Sequence, residues 1–235
     1  MDQGSLRRLD YQEIIYNTHH WALLKSLRQK TSAIMKVLEA SHIESIVHGS
    51  IARGDINDKS DIDIFIPSQV SSFTIETTLE KADIQVLGRS VVQATPNYAM
   101  KAYIEINEIT KVSFSLMKMR TIEQELYRFG GSVSANDLKK DLRVPGVDKR
   151  LMLIMPTSIG HGEGTILGQE GQTAKLLGIS VGTVMDRVRA LLRRQEVGRT
   201  GVYVERRLSD DETFEMVLKE LAYEHAAIRR RLKKA

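Results

Sequence analysis

Val47-His48-Gly49-Ser50-Ile51-Ala52-Arg53-Gly54-Asp55, followed by Ser60-Asp61-Ile62-Asp63-Ile64-Phe65-Ile66, is the stretch that decides the fold. A short apolar run ends in a Gly-Ser turn. Ten residues after Ser50, two aspartates alternate with apolar residues. Side chains of a strand point alternately to its two faces, so Asp61 and Asp63 share one face while Ile62 and Ile64 enter the core. Two carboxylates about 7 Å apart along one strand make a hard-oxygen site suited to Mg²⁺. A Gly-Ser turn that opens a short helix offers backbone N–H groups and a hydroxyl to a phosphate. Together they suit metal-assisted phosphate chemistry, in which catalysis is largely positioning and charge neutralisation. Two solvated aspartates after an ordinary turn would leave the joint spacing of Gly-Ser, Arg-Gly and Asp-x-Asp unaccounted for.

From Gly49-Ser50 through ten residues to Asp61-Ile62-Asp63, the pattern resembles the DNA polymerase beta-like nucleotidyltransferase superfamily. Ala52-Arg53-Gly54-Asp55 and Ser60-Asp61 are similar to its minimal and tRNA-terminal branches. The strict match covers about 20 residues. The wider chain resembles an archaeal group of nucleotidyltransferases that carry a C-terminal helix-turn-helix. The resemblance implies an α+β fold: a mixed β-sheet flanked by helices, plus a C-terminal winged helix-turn-helix domain. It implies Asp61 and Asp63 as catalytic ligands of Mg²⁺ or Mn²⁺, and Gly49 and Ser50 as contacts to the phosphates of an NTP, with ATP the first to expect. Arg53 would either add charge toward the triphosphate or pair with Asp55 or Asp58.

A third carboxylate is needed in that family to help activate the attacking hydroxyl. The equivalent later strand here reads Val112-Ser113-Phe114, with serine in its place. A serine is a poor general base and a poor Mg²⁺ ligand at neutral pH. The preceding strand offers Glu105. With a three-residue hairpin loop Glu105 would lie across from Ser113 and supply the missing group; with two residues that registry fails. Without a third carboxylate the domain would bind nucleotide without turning it over, as a sensor or regulator.

The chain has 235 residues, 42% hydrophobic and 27% charged, enough for one large or two small domains. No apolar run is long enough for a transmembrane helix. The start, Met1 to Arg8, lacks the apolar core of a signal peptide. With no cysteine there is no disulfide or thiolate site, and a cytoplasmic protein is expected. Adjacent His19 and His20 diverge on a helix, so no zinc site is expected. The net charge of +4 is uneven: residues 172–235 hold 14 Lys/Arg against 9 Asp/Glu, whereas residues 1–171 hold 20 against 21. The basic third favours a polyanion there.

Apolar spacing predicts a helix from Tyr11 to Ala40, strands at 43–47 and 61–66, a helix at 71–81, and a strand at 84–87. A hairpin is predicted from residues 101–106 and 111–116, and a helix from Thr121 to Phe129. Val144-Pro145-Gly146-Val147 marks a boundary between domains 1–145 and 146–235. Beyond it come a strand from Arg150 to Pro156 and a flexible loop at Gly160-His161-Gly162-Glu163-Gly164.

Thr173 to Val184 resembles a helix-turn-helix, with Ala174 at the crossing, Gly178 in the turn and Ser180 as cap. Arg187 departs from it, standing where the motif has an apolar residue. Gly198 to Val204 would be a wing hairpin, and the tail from Glu212 a helix ending in a solvated basic run through Lys234. Thr183, Arg187, Arg189 and Arg199 would then face DNA or RNA. Packing or homodimer formation is the alternative use of this domain.

Overall fold

The computed structural model describes residues 11–198 and 200–233. Residues 1–10, Arg199 and Lys234 lie outside the described residues.

The described residues open with strand β1 (Gln12–Ile15), so helix α1 (Thr18–Ala40) begins later than its apolar spacing predicts. Asn17 sets the start by accepting a hydrogen bond from the His20 N–H at 2.8 Å. Leu24, Leu27, Ile34, Met35 and Leu38 form the buried stripe of α1. There follow β2 (Ile46–His48), α2 (Ser50–Arg53), β3 (Ile62–Ile66), α3 (Ser72–Lys81), β4 (Gly88–Gln93), β5 (Lys101–Asn107), β6 (Thr110–Ser115), α4 (Thr121–Phe129), β7 (Ser132–Ser134) and α5 (Ala135–Lys139). The strand expected at 84–87 forms only from Gly88. Residues 82–84 still close α3: Asp83 takes φ 55° and Ile84 N–H donates to Leu79 O at 3.0 Å.

Next come β8 (Gly146–Val147), β9 (Met152–Thr157), β10 (Gly160–Thr165), α6 (Glu170–Leu177), α7 (Val181–Val197), β11 (Val204–Arg207), α8 (Phe214–Glu224) and α9 (Ala226–Lys233). Among the described residues the strands make two sheets. The larger has the order β11-β4-β5-β6-β3-β2-β7 and the smaller β1-β10-β9-β8. In the larger sheet β3 and β6 run parallel and the other neighbours antiparallel, so the sheet is mixed. Ile62, Ile64 and Ile66 of β3 are wholly buried, which fixes the opposite face for Asp63.

Two expectations give way here for one reason: distant segments pair. The expected loop at 160–164 is the buried strand β10, and β1 pairs along it. Its glycines are there because backbone lies against backbone. A Cβ on Gly160 would stand 1.9 Å from Ile14 O. Among the described residues of 198–204 no hairpin forms; Val204–Arg207 instead joins β4 as the outer strand of the larger sheet. Residues from both sides of 145/146 share one apolar cluster. Val204, Phe214, Val217, Leu221 and Ile228 belong to the same apolar cluster as α1 and β3. A second cluster gathers Phe129, Val147, Leu153, Ile166, Val184 and Leu191.

The basic tail is docked through one residue, while Arg229, Arg230 and Lys233 are exposed. Arg231 of α9 is 7% exposed and donates to Glu123 Oε2 at 3.2 Å and to Lys118 O. Glu123 also accepts from Ala99 N, Arg120 N and Arg120 Nε. Burial opposes its charge, but these donors outweigh that and hold the carboxyl below its ordinary range. A carboxyl depressed on folding stabilises above its unfolded value and loses that contribution as pH falls through the folded one. Glu123→Gln is therefore expected to melt well below the parent protein at pH 7. Melting curves taken down to pH 3 should show that gap closing.

Candidate active site

A cavity of about 810 Å³ lies where the two sheets meet. One wall carries Gly49, Ser50, Asp61 and Asp63, and the other carries Asp148, Lys149, Arg150, His161 and Glu163. Gly49 takes φ 79°, a conformation that favours glycine, and turns the chain from β2 into α2. Its own N–H is spent on Gly131 O at 2.9 Å, which leaves the Ser50 hydroxyl as the polar side chain of the turn. Ser50 Oγ lies 3.4 Å from Ser60 Oγ, which in turn accepts from Asn57 N.

A residue that the sequence did not single out holds α2 in place. Arg28 of α1 is buried and donates to Ile51 O twice, at 3.1 and 3.0 Å, to Ala52 O at 3.2 Å and to Leu142 O at 2.8 Å. Arg53 lines the cavity but points its charge into the wall. Its Nε and one terminal nitrogen each meet an Asp55 carboxylate oxygen at 2.9 Å, and the other nitrogen meets Gly130 O. Of the two alternatives for Arg53, the ion pair with Asp55 is the one present. Asp58 instead lies 3.4 Å from His19.

Asp61 is exposed at the entry to β3 and Asp63 half-buried within it. Burial raises the Asp63 carboxyl above its ordinary range, against the charges of Lys149 and Lys111, and no hydrogen bond compensates. A carboxylate kept partly from water without donors is a fitting ligand for a cation. Among the described residues no three His, Asp or Glu side chains gather closely enough to hold an ion alone. That suits Mg²⁺, which is commonly held by one or two carboxylates with water and substrate phosphates completing its shell.

The third carboxylate is not where the sequence suggested. Residues 108–109 form a two-residue turn, and Tyr103, not Glu105, lies across from Ser113. Glu105 lies across from Lys111 and pairs with it at 3.2 Å, and with Arg207 at 3.4 Å. It is outside the cavity lining. Ser113 is buried and donates to Ile64 O at 3.2 Å. Glu105→Gln is therefore expected to leave nucleotide transfer within about twofold of the parent rate, since removing an exposed ion pair costs under about 1 kcal/mol. A rate assay at saturating nucleotide measures this.

The residues expected to face nucleic acid also separate. Thr183 is wholly buried and bonds to Glu125, which also receives Ser180 N and Oγ. The N-terminus of α7 is thus docked on α4. Arg187 lines the cavity, and Arg189 is exposed on α7. Arg187 was marked in the sequence by its departure from the helix-turn-helix pattern, but its destination was not. Nothing local marked Lys101, His161 or Glu163 as cavity residues. His161 is buried, its Nδ1 2.7 Å from the Tyr16 hydroxyl and its Nε2 3.5 Å from Glu163. Burial raises the Tyr16 hydroxyl, so it stays protonated beside Nδ1.

A mixed sheet thus sets an aspartate pair and a Gly-Ser turn in one cleft. Residues 28–129 match the family model described as nucleotidyltransferase domain. That span contains the turn, both aspartates and the strands β2 to β6. No curated protein and no solved structure matches the chain. The domain supports transfer of a nucleoside monophosphate as the general activity. No helix of the described residues is long and apolar enough to cross a membrane.

Proposed function

We propose that this protein is a nucleotidyltransferase dependent on Mg²⁺ or Mn²⁺. It moves a nucleoside monophosphate from an NTP, ATP first among them, to a hydroxyl of an RNA, protein or small-molecule acceptor. The observation that carries the proposal is Asp63, short of water and of donors, beside Asp61 in the cavity that also holds Ser50. A cation held by the pair supplies charge neutralisation at the reacting phosphate. Ser50 binds a phosphate oxygen through its hydroxyl. Arg28 and the Arg53–Asp55 pair act on substrate only through α2, which they hold still. The cytoplasm, with its NTP pool, is the compartment this activity needs.

The test is transfer of label from an α-labelled NTP, with Asp61→Asn/Asp63→Asn as the control. Transfer unaffected by the two changes would place the chemistry elsewhere.

A second reading, a regulator that binds nucleotide without turnover and contacts DNA or RNA through α7, is favoured by Ser113. It stands buried against Ile64 O where the family has an acid. The same assay separates the two: nucleotide retained with none transferred would favour the regulator.

A further inference from the structure

Arginines in the wall of the cavity are generally answered by an acid. Arg53 has Asp55, and Arg150 has Asp148 and Glu163. Two half-buried cations of the same cavity have no ion-pair partner among the described residues. Lys101 on β5 donates to the Tyr127 hydroxyl at 2.7 Å and lies 4.8 Å from the centre of the Tyr127 ring and 5.6 Å from that of Phe65. Glu123, the acid whose field reaches it, is spent on Arg120 and Arg231. Arg187 comes from α7, on the far side of the cleft, with its guanidinium 5.9 Å from the Phe129 ring. The neighbouring Asp186 accepts from the Tyr98 hydroxyl at 2.8 Å.

Holding two cations partly out of water without counter-ions is costly. Burial lowers both, Lys101 to about 8, and each is within reach of the other's charge or of a further arginine. Such an arrangement is stabilised by a polyanion that enters the cavity. Asp61 and Asp63 in the same cavity exclude a carboxylate-rich ligand and accept one that brings its own cation.

We infer that Lys101 and Arg187 form an anion subsite for the β- and γ-phosphates of a nucleoside triphosphate. Arg187 is then a binding residue supplied by the helical pair that the sequence suggested for nucleic acid. Its departure from the helix-turn-helix pattern is the mark of that use. The nucleotide's identity rests on the proposed function; the polyphosphate site does not.

Calorimetric titration of the full chain with inorganic tripolyphosphate tests the subsite. Arg187→Met and Lys101→Gln should each weaken binding by about ten- to a hundredfold, the range for a hydrogen bond to a charged group. Arg193→Ala, on the exposed side of α7, should leave it unchanged. Because Arg187→Met removes an unanswered charge, it should melt at or above the parent temperature without ligand, which a structural salt bridge would not do. Unchanged binding in both variants, or no binding by the parent at millimolar tripolyphosphate, would overturn the inference. Polyphosphate binding that depends on Arg187 in a protein that transfers nothing would keep the subsite and remove the transferase. Normal transfer with binding indifferent to both residues would do the reverse.

Discussion

Asp61→Asn/Asp63→Asn is expected to lower nucleotide transfer by about a thousandfold or more, the scale on which preorganised electrostatic stabilisation is lost. The change is nearly isosteric, so what disappears is charge. Two amide side chains cannot hold a divalent cation against water, and the phosphate would then meet only neutral groups on that wall. The stability of the same variant carries the argument further. Burial raises the Asp63 carboxyl, so at neutral pH its ionised form opposes folding. That opposition fades as pH falls through the raised value. Asp63→Asn alone should therefore melt at or above the parent temperature at pH 7, and the gain should shrink toward acid. Activity lost while stability is gained is the signature of a residue kept for function. Thermal melts beside the labelled-nucleotide assay measure both. A large drop in melting temperature would mean that Asp63 belongs to the scaffold instead.

Arg28→Ala should destabilise the protein by about 2–6 kcal/mol, the sum for two buried carbonyls that lose their donors. Its four hydrogen bonds reach three carbonyls in two segments, the end of α2 and Leu142. Truncation takes these donors from Ile51 O and Leu142 O, while Ala52 O keeps the Val144 N–H at 3.2 Å, and each unmet interior group costs about 1–3 kcal/mol. Arg28→Lys should recover only part of this, because a single ammonium cannot match a planar fork spread over two segments. Urea denaturation gives the size of the effect. A loss under about 1 kcal/mol, the median worth of an exposed ion pair, would show that packing alone holds α2. Transfer by the folded fraction should fall as well, since Ser50 rides on that helix and small misplacements are expensive in rate.

Much of the larger sheet was legible because its signals are local. The spacing from Gly49-Ser50 to Asp61-Ile62-Asp63 places a turn, a short helix and the strand β3 within about 20 residues. The β5–β6 hairpin was legible in outline from alternation. Its two-residue turn and the bulge between Glu105 and Asn107 were not, and together they move Glu105 by two residues, from across Ser113 to across Lys111. The α6–α7 turn was legible from Gly178, which takes φ 63°, and from Ser180, which caps α7. The use of α7 was not, because a helix pattern tells which residues face inward and not which surface receives them.

The sequence by itself determined the chemistry on one wall of the cleft: a glycine that permits the turn, a serine after it, and two acids held on one strand face by buried isoleucines. Those are short-range consequences of sterics and side-chain alternation. Only the tertiary structure decided what stands opposite. β1 meets β10 some 145 residues away, β11 closes on β4, and Arg187 enters the cavity from α7. Short strands and single cations carry too little periodicity to announce such partners. Their places follow from backbone pairing and from the free energy of burying apolar surface across the whole chain.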